Sequence, residues 1–389
     1  MNNWHGWHRR VRGLIFVRMA VNQRVAIVHD WLVTPGGAEL VLAELLAVFN
    51  DADVFTLIDQ RPPDSRNSLG KTRVFTSWMQ RIPNITKKYR SYLPVMPLAL
   101  KSLDVSKYDI VISNSHAVAK GIRTHSHQVH LCYCLSPMRY AWDLRGQYLH
   151  EAGLDSGVKG AAAVAMLEGM RRWDLANTDG VKAFSTLSNY IAARIKRAYG
   201  RASVVIYPPV DTEFFAPAPE VRGEESAFYV TASRFVPYKR VDMIASAFRA
   251  VADRRLVVIG DGPDAAKVRS AAGHNVELVG RLSREEVRSY LRRAKAFVFA
   301  AEEDFGIAPV EAQACGTPVI AFGRGGVTET VVDGTTGVFY SEQTAEALAD
   351  AVRRFEGMSI SASACRENSL RFSSAKFRSG IRKFVDLNS

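Results

Sequence analysis

Short apolar runs alternate with stretches of helical periodicity along almost the whole chain. In the first half, VAIVHD, DVFTLI, RVFTS, DIVIS, VHLCYC, VKAFSTL and SVVIYP read as strands, with helical patterns between them over 37–49, 157–177 and 188–199. The stretch YPPVDTEFFAPAPEVRGEES then loses periodicity and gathers four prolines, which marks a linker near 207–226. A second series follows: AFYVTA, RLVVIG, VELVG, AFVFA, PVIAF and GVFY. Strands that alternate with helices specify an α/β architecture of parallel sheets, and two series specify two doubly wound, Rossmann-like domains. Ligands of such sheets sit beyond the carboxyl ends of the strands, so both domains should present loops to a shared cleft. The expected division is a tail over 1–23, a first domain over 24–207, a second over 208–369, and a last helix over about 370–389 that can pack on either domain.

Composition narrows the class. A chain of 389 residues exceeds what one core usually organises, and its 47% hydrophobic and 23% charged residues are ordinary for a globular protein. Its apolar runs are all shorter than the roughly 18 to 20 residues a membrane span needs. The basic tail carries Arg9, Arg10, Arg12 and Arg18, but its apolar run LIFV is too short for a signal-peptide core, so disorder is the expectation. Met19, just ahead of the first strand, is an alternative start to Met1. Four cysteines, at 132, 134, 315 and 365, have no metal-ligand spacing and suit buried thiols in a reducing cytoplasm. A net charge of +12 suits an anionic partner without choosing between a nucleotide, a membrane surface and nucleic acid.

Two segments concentrate the candidate chemistry. In SRFVPYKRVD, Arg234 and Lys239 lie either side of a proline turn at the mouth of a helix, where cations and helix N-terminal amides converge on a phosphate; the alternative is a solvated basic loop. In EEDFGIAPVEAQACG, Glu303 and Glu311 bracket a turn. On one continuous helix they would stand about 12 Å apart, beyond the roughly 5 to 9.5 Å of a glycosidase pair. A turn instead exposes the amides of Phe305, Gly306 and Ile307 between two acids, a mixture suited to a ligand with both hydroxyls and phosphates. An acidic helix start explains Glu302 to Asp304 but neither Glu311 nor the glycine.

These motifs carry a resemblance. Arg234-x4-Lys239 and Glu303-x7-Glu311 are similar to the donor-site signature of retaining glycosyltransferases of family 4, and VIGDGP, VELVGRLS, PVIAFGRGGVTETV and DGTTGVFY extend it through most of 228–340. VHDWLVTPGGAELVL, YDIVISNSHAVAKGI and YCLSPMRYAWD resemble the branch containing bacterial mannosyltransferases of O-antigen and exopolysaccharide assembly. The resemblance implies a GT-B fold, a nucleotide-sugar donor such as GDP-mannose, a lipid-linked glycan acceptor, and a place at the cytoplasmic face of the inner membrane. It assigns the donor diphosphate to Arg234 and Lys239, the ribose to Glu311 and the hexose to Glu303. Gly306 and Ile307 would lend amides, Arg281 and Leu282 would lie beside the base, and Gly36 and Gly37 would let the donor approach a helix N-terminus. His116 in SNSHAV aligns with a histidine near the transferred sugar, against the plainer reading of a polar residue starting a helix. Where that branch often has histidine, this chain has Leu135; Arg139, Tyr140 and Asp143 remain acceptor-side candidates.

With no carboxylate placed as a nucleophile, front-face transfer with retention is expected, the cationic pair supplying the charge that a metal would bring. The Asp51-x-Asp53 pair mimics a metal motif but starts a strand, and no cofactor or metal is expected. Three competing readings stand beside this one. Gly260-x-Gly262-x-x-Ala265 with Glu277 is a dinucleotide fingerprint, though Glu277 falls inside a strand rather than at its end. A nucleotide-sugar epimerase of the same two-domain form is another. Residues 65–103, with eight Lys or Arg, no acid, and Phe75, Trp78, Tyr89 and Tyr92 interleaved, suit an anionic membrane surface; nucleic acid, for which they carry no recognised motif, is not expected, and a solvated basic face is the plain alternative.

Overall fold

The computed structural model describes residues 23–33, 36–61, 69, 72–143, 145–151, 153–154, 156–218 and 228–389. The anticipated tail over 1–23, apart from Gln23, lies outside these residues, as do Arg66 and Lys71 and part of the expected linker.

All the anticipated strands form, and all pair in parallel. β1 (Val25–His29), β2 (Asp53–Thr56), β3 (Val74–Thr76), β4 (Ile110–Ser115), β5 (Val129–Cys134), β6 (Ala183–Thr186) and β7 (Ser203–Val205) build one sheet in the order β3-β2-β1-β4-β5-β6-β7. β8 (Phe228–Ala232), β9 (Arg255–Ile259), β10 (Val276–Gly280), β11 (Ala296–Phe299), β12 (Val319–Phe322) and β13 (Gly337–Tyr340) build the other, in the order β10-β9-β8-β11-β12-β13. Every residue of β1, β4, β11 and β12 is buried, because helices cover both faces of each sheet. These runs are therefore mostly apolar instead of alternating, His29, Ser113, Asn114 and Ser115 being the buried polar exceptions.

Each sheet starts in its middle, winds outward, then returns to the opposite side. The order reverses between β1 and β4 in the first sheet and between β8 and β11 in the second. Loops diverge there beyond the strand ends and leave a crevice. The loops after β1 and β4 hold Gly36, Gly37 and His116, and those after β8 and β11 hold Arg234, Lys239 and Glu303 to Gly306.

The chain passes between the domains twice along one seam, where Val210 pairs with Ser373. The last helix, Ser374–Asp386, packs on the first domain: Phe377, Ile381, Phe384 and Val385 join the apolar core beneath helix Gly37–Val48, and Arg378 pairs with Glu44 at 2.8 Å. Phe305 and Val310 of the second domain belong to that same cluster, so the domains share apolar contact as well as a cleft. All four cysteines are buried free thiols. No described helix is long and apolar enough to cross a membrane.

Candidate functional site

Between the two switch points lies a cavity of about 700 Å³. Its first-domain wall includes Gly36, Gly37 and His116, and its second-domain wall Arg234, Lys239, Glu303 and Glu311. Arg139, Tyr140 and Leu135 line it too, so position 135 presents an aliphatic side chain here. Asp143 is outside the lining and pairs with Arg194, while Arg281 and Leu282, after the edge strand β10, are also outside it. Arg281 lies 3.8 Å from Asp261.

Two helices open onto the cavity without a side-chain cap. Helix Gly37–Val48 begins behind Gly36, and helix Ile307–Ala314 behind Gly306, whose φ is 87°. Their first N–H groups are therefore free to donate, and both helix dipoles present their positive ends to the same space from opposite walls. The walls meet closely: a Cβ on Gly37 would stand 3.1 Å from Ile307 Cδ1. Glycine here leaves room for the other domain as well as for a ligand. Phe305, which also lines the cavity, packs its ring against Tyr207 and Phe372.

The glycine-rich segment after Glu311 is a brace for the acidic turn. Gly326 donates to the Glu303 carbonyl at 2.7 Å, and Glu303 forms a parallel bridge with Gly325. A Cβ on Gly326 would lie 2.3 Å from the Asp304 carbonyl oxygen, which no side chain tolerates. The turn that carries Glu303 is thus pressed against glycine backbone.

Charge is distributed unevenly across the cavity. Lys239 pairs with Glu303. Arg234 is exposed and meets no carboxylate among the described residues. Burial pushes the Glu311 carboxyl up to about 7, against the pull of nearby Arg284. On the opposite wall, Asp30, fully buried at the end of β1, accepts the backbone N–H groups of His116, Ala117, Val118 and Ala119 at 2.7 to 3.0 Å. Its burial works against ionisation, but His116 and these amides hold its carboxyl well below the usual range. His116 Nδ1 lies 3.1 Å from Asp30, and the imidazole stands edge-on to Trp31 at 4.6 Å.

Sequence reasoning passed over Asp30, although its place as the last residue of VAIVHD, beyond a buried strand, was a signal. It gave Asp304 no role beyond the alternative of an acidic helix start. Asp304 instead binds Arg139 and Arg194 of the first domain, and its carbonyl accepts from Ser188 at 2.6 Å. Glu329 accepts the N–H groups of Asn189 and Tyr190, both at 2.9 Å, and so caps helix Asn189–Tyr199 across the domain boundary. Such partners are far apart in sequence and leave no local pattern.

The competing motifs find other employment. Gly260 and Gly262 lie against the 233–235 loop, where Cβ atoms would stand 1.8 Å from the Ser233 carbonyl oxygen and 2.4 Å from that of Phe235. They seat the loop that carries Arg234. Glu277 is exposed and pairs with Arg255 at 2.6 Å. Asp53 is buried in an ion pair with Arg73 and accepts from Tyr108. In the basic segment, Phe75 and Trp78 are exposed as expected, whereas Tyr89 is buried and Tyr92 packs on the core.

Comparison with known proteins finds relatives in sequence and in fold. A GDP-mannose-dependent alpha-(1-6)-phosphatidylinositol monomannoside mannosyltransferase from Mycobacterium tuberculosis is 31% identical over 201 residues, 45% of this chain and 52% of that protein. The chain thus spans about half the length of the curated relatives it matches. Anabaena HepE, solved in complex with UDP, superposes with a TM-score of 0.68 at 17% identity over 93% of this chain and 99% of that one. Sucrose-phosphate synthase from Thermosynechococcus elongatus gives 0.69 at 20% identity over 94% and 98%. The chain has the GT-B fold, and its residues 213–372 match the family described as Glycosyl transferases group 1.

Proposed function

We propose that this protein is a retaining glycosyltransferase that moves mannose from GDP-mannose to a lipid-linked oligosaccharide, in the assembly of a cell-surface polysaccharide such as O-antigen or exopolysaccharide. The observation that carries the reading is the pair of opposed, uncapped helix N-termini around one cavity, with the exchangeable Lys239–Glu303 pair on one wall beside Arg234, which meets no carboxylate among the described residues. Amide dipoles and two cations suit a diphosphate, and carboxylates beside them suit the hydroxyls of ribose and hexose. A diphosphate arriving at Lys239 would draw that cation from Glu303, freeing the carboxylate for the hexose. The matched mannosyltransferase from Mycobacterium tuberculosis and the match of residues 213–372 support the donor.

Catalysis then rests on charge developing in the leaving group. As the glycosidic bond breaks, Arg234, Lys239 and the amides behind Gly306 stabilise the departing diphosphate, whose oxygen takes the acceptor proton on the same face of the sugar. His116, oriented by Asp30, borders the transferred hexose. The reaction needs no divalent metal, since the cations already face the diphosphate and Asp53 is occupied by Arg73. Loss of turnover on chelation, restored by manganese, would contradict this.

The acceptor reaches the cavity at the cytoplasmic face of the inner membrane. Arg73, Phe75, Trp78, Arg81, Lys88, Leu98 and Lys101 are all exposed on the segment that leads to the cavity, a mixture that favours an anionic headgroup layer. A panel of GDP-, UDP- and ADP-sugars assayed by nucleotide release tests the donor: GDP-mannose should be consumed, with product linkage retained. Consumption of none of them would remove the reading. Sedimentation with anionic liposomes at rising salt tests the membrane, and absence of binding at low salt would exclude that role.

A further inference from the structure

The cavity is bordered by four cationic side chains, Arg90, Arg139, Arg234 and Lys239. Two are neutralised by the protein itself, Arg139 by Asp304 and Lys239 by Glu303. The other two meet no carboxylate among the described residues, and they stand on opposite walls. Arg234 follows β8 in the second domain. Arg90 belongs to the 3-10 segment Tyr89–Val95 of the first domain.

Arg90 is exposed, yet its base is held. Its guanidinium lies over the Tyr89 ring, 5.4 Å from the centroid; Tyr89 is 5.2 Å from Trp31, and Trp31 is 4.6 Å from His116. Tyr89 and Trp31 are buried at 9% and 7% exposure, so this row of rings is fixed by the core beneath it. The row runs from His116 outward to Arg90 along the first-domain wall. It is also where the basic segment 65–103, which holds no acid, reaches the cavity. A planar guanidinium steadied on an aromatic face and left without a counter-ion is suited to bidentate capture of phosphate oxygens. The donor diphosphate has its own cations on the other wall.

We propose that Arg90 binds a phosphate group of the acceptor, so that the acceptor is a phosphorylated glycan whose phosphate docks at the first-domain rim while its sugar faces His116. This rests on the glycosyl-transfer reading for the word acceptor, but the anion site itself does not. The same chemistry is offered by a lipid-borne phosphodiester and by a free sugar phosphate.

The test is a binding measurement on the full chain in an Arg234→Ala background, which removes the competing unpaired cation. Tryptophan fluorescence is titrated with methyl α-mannoside, mannose 1-phosphate and farnesyl phosphomannose. Loss of one charge-assisted phosphate contact corresponds to roughly ten- to a hundredfold in affinity. Mannose 1-phosphate should therefore bind at least about tenfold tighter than the neutral glycoside, and adding Arg90→Gln should abolish that gap. Tighter binding of farnesyl phosphomannose than of mannose 1-phosphate, equally sensitive to Arg90→Gln, assigns the phosphate to a lipid; equal affinity assigns it to the phosphate alone. Absence of a gap before the Arg90 change, or its survival afterwards, overturns the proposal. Neither result depends on turnover, whereas failure of every nucleotide sugar to release nucleotide counts against the transferase reading only.

Discussion

The two walls of the cavity are built on opposite electrostatic plans. In the first domain the central carboxylate, Asp30, is fully buried and saturated by four backbone N–H groups, and His116 is locked to it. In the second domain Arg234 is exposed and meets no carboxylate among the described residues, and the Lys239–Glu303 pair is reachable from the cavity. Arg90 apart, the first wall has already satisfied its charges internally and positions its partner without giving up contacts of its own. The second keeps its charges exchangeable, so an incoming anion can replace contacts the protein makes with itself. Lys239 and Glu303 keep 19% and 18% of their side-chain surface exposed, so a ligand in the cavity can reach the pair and replace one partner's contact with its own.

The comparison breaks first at the exchangeable wall. Arg234→Ala combined with Lys239→Ala should lower transfer by about a hundredfold or more, since two charge-assisted contacts of roughly 1.5–3 kcal/mol each are lost, while the thermal midpoint stays nearly unchanged. Nucleotide release and calorimetry check the two halves of that statement, and a wild-type rate would end the electrostatic account. Asp30→Ala should do the reverse. It leaves four buried N–H groups without an acceptor and should cost about 3 kcal/mol or more of stability in denaturant titrations. Unchanged stability would mean that the first wall is not built around this carboxylate.

The closeness of the walls gives a smaller effect. Gly37→Val drives a branched side chain into Ile307 and should lower activity by roughly tenfold or more through overpacking of about 1–3 kcal/mol. Ile307→Ala in the same chain should recover part of it; a purely additive double variant would show that the two residues do not meet during turnover.

The smallest effect concerns Glu311. Its folded carboxyl sits near 7, above the ordinary 4.5, so the protonated form predominates below about pH 7 and the carboxylate above it. If the carboxylate accepts from the ribose, kcat/KM should rise about tenfold per pH unit toward 7 and then level. Glu311→Gln should remove that inflection; an unchanged pH profile in the variant would assign the inflection elsewhere. The sign for stability is opposite: a raised folded pKa of an acid means that its folded form holds the proton more tightly, so its contribution falls as pH rises from about 4.5 through 7.

Much of this architecture was legible in the order of residues. Strands buried on both faces appear as uninterrupted apolar runs, and glycine-bearing or cationic segments beyond them, such as PGGAEL and SRFVPYKR, announce loops at strand ends. Asp53 and Glu277 showed the limit of the method, since each sits in a motif whose chemical meaning vanishes once Arg73 or Arg255 is seen beside it. Arg139 and Asp143 were both read as acceptor-side, yet only Arg139 borders the cavity, and Asp304 already holds it.

Local sequence determined the strands, the helices and the loop chemistry, because apolar periodicity and turn residues act within a dozen positions. Which loops face each other was decided only by the tertiary structure. Winding order brought residues 30 and 116 together at one crevice, and 234 and 303 at the other. The return of the last helix to the first domain, and the grip of Asp304 and Glu329 on helix Asn189–Tyr199, then set the crevices against one another. Contacts across a hundred residues or more depend on how whole sheets pack, and that information is not held in any short stretch of chain.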